Sequence, residues 1–203
     1  MNFWDQQFSS PDFKYGKQAN SFLRNQAVRL HPKCRVLLPG DGEGRNSVWL
    51  AEKGHQVTSV DISRVGLEKA QRLARERGVT IETIEADLAD WAPAAASFDA
   101  LVLTYVHLPP VLRMSVHRRL VQGLRPGGWF ILEAFHPLQL GMDSGGPKAE
   151  DMLYTADMIR SDLSQTSRTV MREIFVWEGQ AQLLEGSGHQ GPAHLTRYVA
   201  QCT

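Results

Sequence analysis

The stretch Val36-Leu37-Leu38-Pro39-Gly40-Asp41-Gly42-Glu43-Gly44-Arg45 constrains this chain more than any other. A short apolar run ends in three glycines on alternate positions, and Ser47 to Glu52 then reads as a helix that stops at Gly54. The order is strand, glycine turn, helix. Glycine is needed there because the turn takes backbone angles closed to other residues and because a ligand can approach a backbone without Cβ atoms. The following helix aims free N–H groups back at the loop, so an anionic group is stabilised there.

Such a turn is shared by dinucleotide-binding dehydrogenases and by S-adenosylmethionine enzymes, and the spacing separates them. The dehydrogenase fingerprint wants a third glycine where Arg45 stands, close to the strand it packs against. A nucleotide-dependent oxidoreductase is therefore the weaker alternative.

The chain around the turn continues the alternation. Residues 1–16 form an aromatic arm (Phe3, Trp4, Phe8, Phe13, Tyr15), irregular or in short helices, whose rings need cover from water. Apolar residues from Ala19 to Leu30 recur at helical spacing, and Pro32 closes that helix. His55 to Asp61 reads as a second strand ending on a carboxylate; Ser63 caps the next helix and Gly78 ends it. Val79 to Glu85 is a third strand, Phe98 to Tyr105 a fourth that looks buried on both faces, and Trp129 to Phe135 a fifth, entered from Pro126-Gly127-Gly128. Pro109-Pro110 opens the helix between the last two. After a long loop, His136 to Asp151, which is a candidate lid, come a short helix from about Thr155 to Leu163, a strand from Thr169 to Leu184 with a break at Gly179, a glycine-rich turn and a last strand, Ala193 to Ala200. The expectation is one α/β domain over residues 1–203: a doubly wound, seven-stranded, mostly parallel sheet with a C-terminal antiparallel hairpin.

Composition excludes some partners. Lysine plus arginine and aspartate plus glutamate both number 22, so no basic excess exists to release counterions from nucleic acid or to hold an anionic membrane. The arginines of Gln71 to Arg77 are interrupted by apolar residues at helical spacing, as on a solvated helix face. No segment has signal-peptide or membrane-spanning character, which points to the cytoplasm. Cys34 and Cys202 are too few for a disulfide or metal framework, and Glu185, His189 and His194 lack a zinc-ligand spacing, so no metal is expected.

In an open α/β sheet the ligand lies beyond the carboxyl ends of the strands. Strand two ends on Asp61, placed to accept both ribose hydroxyl protons of a nucleoside across the loop; strand three ends at Asp87-Leu88, placed for an adenine amino group and face. This order of features resembles the class I S-adenosylmethionine-dependent methyltransferases. More narrowly, FWDQQF, GEGRNSVWLAEKGH, VDIS, ADLADW, VHLPP, LRPGG, GGPK and EGSGHQG resemble the tellurite-resistance-type branch of small bacterial methyltransferases. The resemblance implies S-adenosyl-L-methionine as cofactor, with Gly40, Gly42, Gly44, Asp61, Asp87 and Leu88 as its contacts. Asp41, Ile62 and Tyr105, which flank them, complete the candidate cofactor set. The family's acidic residue two places before the first glycine is Leu38 here, so Asp41 or a backbone carbonyl is left to meet the methionyl ammonium.

Methyl transfer is an in-line displacement in which alignment supplies most of the acceleration. A hydroxyl or thiol acceptor also asks for a base near working pH, and histidine suits. His107 follows strand four and His136 strand five; His189 stands at the end of a sixth strand that runs parallel to the others. These three are the catalytic candidates, each with the alternative of a packed histidine. The acceptor is read as a small molecule, a chalcogen oxyanion or thiol-like nucleophile, acting on a monomer or homodimer. The other alternative is a non-catalytic module that binds the cofactor without turnover.

Overall fold

The structure is a computed structural model and describes residues 2–164 and 170–203. Seven strands form one sheet: β1 (Arg35–Pro39), β2 (Gln56–Asp61), β3 (Glu82–Glu85), β4 (Phe98–Thr104), β5 (Leu124–Phe135), β6 (Met171–Glu185) and β7 (His189–Cys202). Their spatial order is β3-β2-β1-β4-β5-β7-β6. The first five pair in parallel, and β7 runs antiparallel to both β5 and β6. Strand β6 therefore points the same way as the parallel set, and its carboxyl end reaches the same edge of the sheet.

Alternate residues serve opposite faces, as a period of two demands. Leu37, Leu101, Leu103, Phe130 and Leu132 face a core closed by α5 (Pro110–Val121) and α6 (Ala156–Ser164). Val36, Leu38, Ala100, Val102 and Ile131 face the other, closed by Phe22 and Leu23 of α2 (Ser21–Gln26) and Leu50 of α3 (Arg45–Glu52). The amphipathic α4 (Arg64–Glu76) packs Leu73 and Ala74 against Val48 of α3. A short α1 (Phe3–Gln7) lies in the arm, closed by a capping box between Asn2 and Asp5. Among the described residues no helix is long and apolar enough to cross a membrane.

Several boundaries differ from the sequence expectation. The third strand is only Glu82–Glu85, because Gly78 turns the chain at φ +68° and the Val79 N–H still donates to Ala74 O of α4. The second helix starts later, where the Asn20 side chain accepts from Leu23 N, and finishes as a 3-10 turn over Ala27–Arg29. Strand β5 begins at Leu124 and carries the Pro126-Gly127-Gly128 turn inside it, with a register shift against β4. Strand β6 passes through Gly179 unbroken; a Cβ there would stand 2.7 Å from Trp177 Cζ2, so glycine admits the ring rather than ending the strand. The hairpin turn shortens to Gly186-Ser187-Gly188, and the expected strand start at Thr169 lies outside the described residues. The loop after β5 holds two 3-10 turns, Pro137–Gln139 and Glu150–Met152.

Candidate functional site

The sheet order reverses between β1 and β4, and the glycine turn sits at the carboxyl end of β1, beside that switch point. Gly40, Gly42 and Gly44 take φ of +66°, +60° and +84°, the left-handed region that side chains avoid. Gly44 rests directly on Ala70 of α4, and a Cβ on Gly40 would come within 2.7 Å of Val106. At the tip of β2 the buried Asp61 accepts from Gly42 N at 2.7 Å and from Ser63 N at 2.8 Å, so one carboxylate fixes the turn and the next loop together. Burial raises Asp61 above the ordinary carboxylate range, against the pull of these backbone donors.

Asp41, inside the turn, has one oxygen satisfied by Ser59 Oγ at 3.2 Å. Its Oδ1 is buried without a hydrogen-bond partner, with the Ser47 hydroxyl nearby donating to Gly44 O at 3.2 Å. Burial, added to by the charge of Asp61, pushes Asp41 up to about 7. Asp87 is exposed and accepts from Ala89 N, while Leu88 is buried beside it with its carbonyl taken by Arg119. Ile62 stands in the open at the β2 tip.

The arm closes this half. Asn2 Nδ2 donates to Ile62 O, Ser63 Oγ donates to Asp5 Oδ1 at 2.8 Å, and Phe8 lies over Gly42 and Gly66, within 3.0 Å of where a Cβ on either would stand. The buried Lys69 of α4 donates to Phe8 O, Ser10 O and Asp12 O while forming an ion pair with the equally buried Glu43. One ammonium thus joins the arm to the glycine turn.

Beyond β4 the site is built from side chains. Tyr105 adopts φ +56°, a conformation costing about 1–3 kcal/mol for a non-glycine residue and concentrated at functional sites. It donates its hydroxyl to Glu133 Oε1 at 2.7 Å. Glu133, buried in β5, also accepts from Asn20 Nδ2 at 2.6 Å and from Arg197 Nε. Asn20 reaches on to Glu185 at 3.0 Å, and Glu185 accepts from Arg45 Nη2 at 2.9 Å and from His189 Nδ1 at 3.4 Å. Burial would raise Glu185, but His189 and Arg45 outweigh it and hold the carboxyl at about 2. Burial lowers His189 below its ordinary range, with Glu185 opposing; in the neutral ring the Glu185 carboxylate beside Nδ1 favours the proton there, which makes Nε2 the basic atom. The ring packs among Tyr15 at 4.4 Å, Tyr105 at 4.5 Å and Phe135 at 5.1 Å.

The other two histidines are placed differently. His107 Nδ1 meets Met152 O at 2.6 Å and Nε2 accepts from Phe135 N at 3.2 Å, which leaves neither nitrogen for an acceptor proton. Burial drives it down to about 4, in keeping with a neutral structural ring. His136 accepts Leu138 N at Nδ1 and turns Nε2 toward Glu178 in the middle of β6, 3.6 Å away, rather than toward His189. Asn20, Arg45, Glu133 and Lys69 were not among the expected site residues. Glu133 carried a signal nonetheless, as the one charged residue in the apolar run from Trp129 to Phe135.

The comparisons with known proteins follow this geometry. A family model described as a methyltransferase domain matches residues 36–128, the stretch from β1 into β5. The chain is 30% identical over 115 residues to the 2-heptyl-1-hydroxyquinolin-4(1H)-one methyltransferase of Mycobacteroides abscessus, covering 55% of this chain and 51% of that protein. It is 35% identical over 99 residues to the tRNA 5-carboxymethoxyuridine methyltransferase of Escherichia coli K12, covering 47% and 38%. The chain thus spans about half or less of the length of these relatives. Among solved structures, TehB from Haemophilus influenzae superposes with a TM-score of 0.72 over 99% of this chain and 66% of that one, at 17% identity, a likeness of fold.

Proposed function

We propose that this chain, whose residues 36–128 match a methyltransferase domain and whose sheet is that of the class I S-adenosylmethionine-dependent methyltransferases, moves a methyl group from S-adenosyl-L-methionine to a small-molecule acceptor. The observation that carries this reading is the glycine turn tied to Asp61 at the carboxyl edge beside the switch point. The residues fit the cofactor. Asp61 would accept the ribose hydroxyls, Ile62 and Leu88 would flank the adenine with Asp87 for its amino group, and the bare backbone of Gly40, Gly42 and Gly44 would admit the methionyl part. The buried, unpartnered Oδ1 of Asp41 suits the methionyl ammonium, taking over from the residue that is Leu38 here. Bound there, the cofactor supplies a methyl group already activated on a sulfonium.

This chain's own residues do the rest. Tyr105 and Phe135 wall the acceptor side, Tyr15 of the arm covers the His189 ring, and Phe8 closes the glycine turn. His189, oriented by Glu185, takes the acceptor's proton at Nε2 as a general base, an effect typically worth about 10²–10⁴-fold. The chalcogen oxyanion suggested by the tellurite-resistance motifs draws support from those motifs and from the fold likeness to TehB; a thiol would use the same base. The test is release of S-adenosylhomocysteine from S-adenosylmethionine with a panel comprising a thiol, an oxyanion, a phenol and an amine. Release with one of them supports a transferase. Tight binding of S-adenosylhomocysteine with release from none supports the non-catalytic module instead.

A further inference from the structure

We propose that Arg119 of α5 is the positioning residue on which the choice of base depends: acting through the turn of residues 87–91, it holds Asp87 and the Leu88 N–H at the amino edge of an adenine. The inference rests on the methyltransferase reading and deepens it by naming a residue outside the cofactor set that makes the site specific.

The turn cannot hold itself. Asp87 O accepts from Asp90 N at 3.1 Å and from Trp91 N at 2.9 Å, which closes a single helical turn. A second turn would take its donors from residues 92 and 93, but Pro93 has no N–H and disfavours helical angles at Ala92. The sequence thus orphans the Leu88 and Ala89 carbonyls. Arg119, half-buried, replaces the missing donors. Its Nη2 donates to Leu88 O and, at 2.8 Å, to Ala89 O, while Nε donates to Trp91 O at 3.0 Å. A planar guanidinium reaches these carbonyls in one fixed arrangement; the point charge of a lysine has no such fork.

The same helix grips the segment again one turn further on. A Cβ on Gly123 would stand 2.6 Å from Pro93 Cγ, and Gly123 O accepts from both Ser97 N and Phe98 N. Positions four apart share a helix face, so the end of α5 forms a bed for residues 88–98. On its other side the turn hangs from β3, an edge strand of 4 residues whose sheet neighbour is β2. Ala86 N donates to Asp61 O at 3.0 Å, which sets the turn in register with the carboxylate proposed for the ribose.

What the turn presents is a donor beside an acceptor. Asp87 Oδ1 is occupied by Ala89 N at 2.8 Å, whereas among the described residues its Oδ2 and the Leu88 N–H have no hydrogen-bond partner. That pair complements adenine, whose amino group donates and whose N1 accepts. In hypoxanthine an oxo group and a protonated N1 reverse both roles, so each protein group would face its like and stay unpaired. Discrimination therefore depends on the spacing of two groups on one short turn, and Arg119 fixes that turn from outside the ligand's reach.

The experiment measures, by calorimetry on the full chain, affinity for S-adenosylhomocysteine and for S-inosylhomocysteine, whose base is the deaminated form. The unaltered protein should prefer the adenosyl ligand by about 30-fold. Arg119→Met should weaken S-adenosylhomocysteine by about tenfold and S-inosylhomocysteine by no more than about twofold, so that the preference falls about fivefold. Arg119→Lys, which keeps the charge and loses the fork, should show the same selective loss at about threefold, and it carries the test if the methionine variant does not fold. An arginine that only stabilises the fold would instead weaken both ligands by one factor. Equal weakening of the two ligands in a folded variant, an unchanged preference, or no preference in unaltered protein that does bind S-adenosylhomocysteine would each overturn the inference. Failure of the unaltered protein to bind S-adenosylhomocysteine at all would overturn the methyltransferase reading beneath it.

Discussion

Asp61 and Glu133 are both buried carboxylates near the carboxyl edge of one sheet, yet they are satisfied in different ways. Asp61 is held by backbone N–H groups of Gly42 and Ser63, the farther only 19 residues away. Glu133 is held by side chains, from Asn20 113 residues away, Tyr105 28 away and Arg197 64 away. Backbone donors come with the fold and hold an invariant geometry; side-chain donors must be assembled from across the chain, and they fill the space with charge and rings. On the proposed function, the β1–β3 half is the socket for the cofactor and the β4–β7 half a shaped wall for the acceptor. Lys69 and the arm join the two.

The joint is the place to break that contrast hardest. Lys69→Met leaves Glu43 buried without its cation and frees three arm carbonyls, a class of change that costs about 3–5 kcal/mol. Thermal unfolding should fall by roughly 6–20 °C for a domain of this size. A shift under 3 °C would mean that the arm is not tied to the glycine turn in this way.

Asp41 sharpens the contrast through pH. Its folded pKa of about 7 lies above the ordinary 3.8, so the folded state holds its proton more tightly than the unfolded chain does. The contribution to stability is present below the ordinary value and is lost as pH rises through about 7. The cost at pH 8 is on the order of a few kcal/mol, at most about 4. Asp41→Asn should therefore raise the melting temperature of the ligand-free protein clearly at pH 8 and little at pH 4, while weakening S-adenosylhomocysteine. Equal melting temperatures at both pH values would remove the buried-charge account.

Removing the socket's carboxylate tests the division of labour directly. Asp61→Asn should weaken S-adenosylhomocysteine by about 2–3 kcal/mol, 30- to 150-fold in calorimetry, the worth of charge-assisted hydrogen bonds. An unchanged dissociation constant would place the nucleoside elsewhere. The smallest effect is expected at Ser63, which both caps α4 through Gly66 N and donates to Asp5. Ser63→Ala should cost about 1 kcal/mol, with slightly faster proteolysis of the arm.

The same contrast decides what was legible in the sequence. The turn, Asp61 at the end of β2 and the mostly parallel sheet follow from local signals: glycines at fixed offsets, a strand ending on a carboxylate, alternating βα units. Arg45 also spoke, by standing where a dehydrogenase needs glycine, but its partner Glu185 lies 140 residues away and no pattern links them. His107 illustrates the limit. Its position after β4 was evident, yet the Met152 carbonyl and Phe135 amide that occupy its ring come from segments whose approach no periodicity encodes. Glu133, a charge inside an apolar run, announced a buried partner without naming it.

The most direct test of the account is thermal unfolding in the presence of S-adenosylmethionine, S-adenosylhomocysteine, NAD and NADP in parallel. A ligand at about a hundred times its dissociation constant adds about 2.7 kcal/mol, a rise of roughly 5–10 °C here. The account predicts that rise with the two adenosyl-sulfur ligands and none with the dinucleotides. A rise with NAD or NADP, or with none of the four, would contradict it.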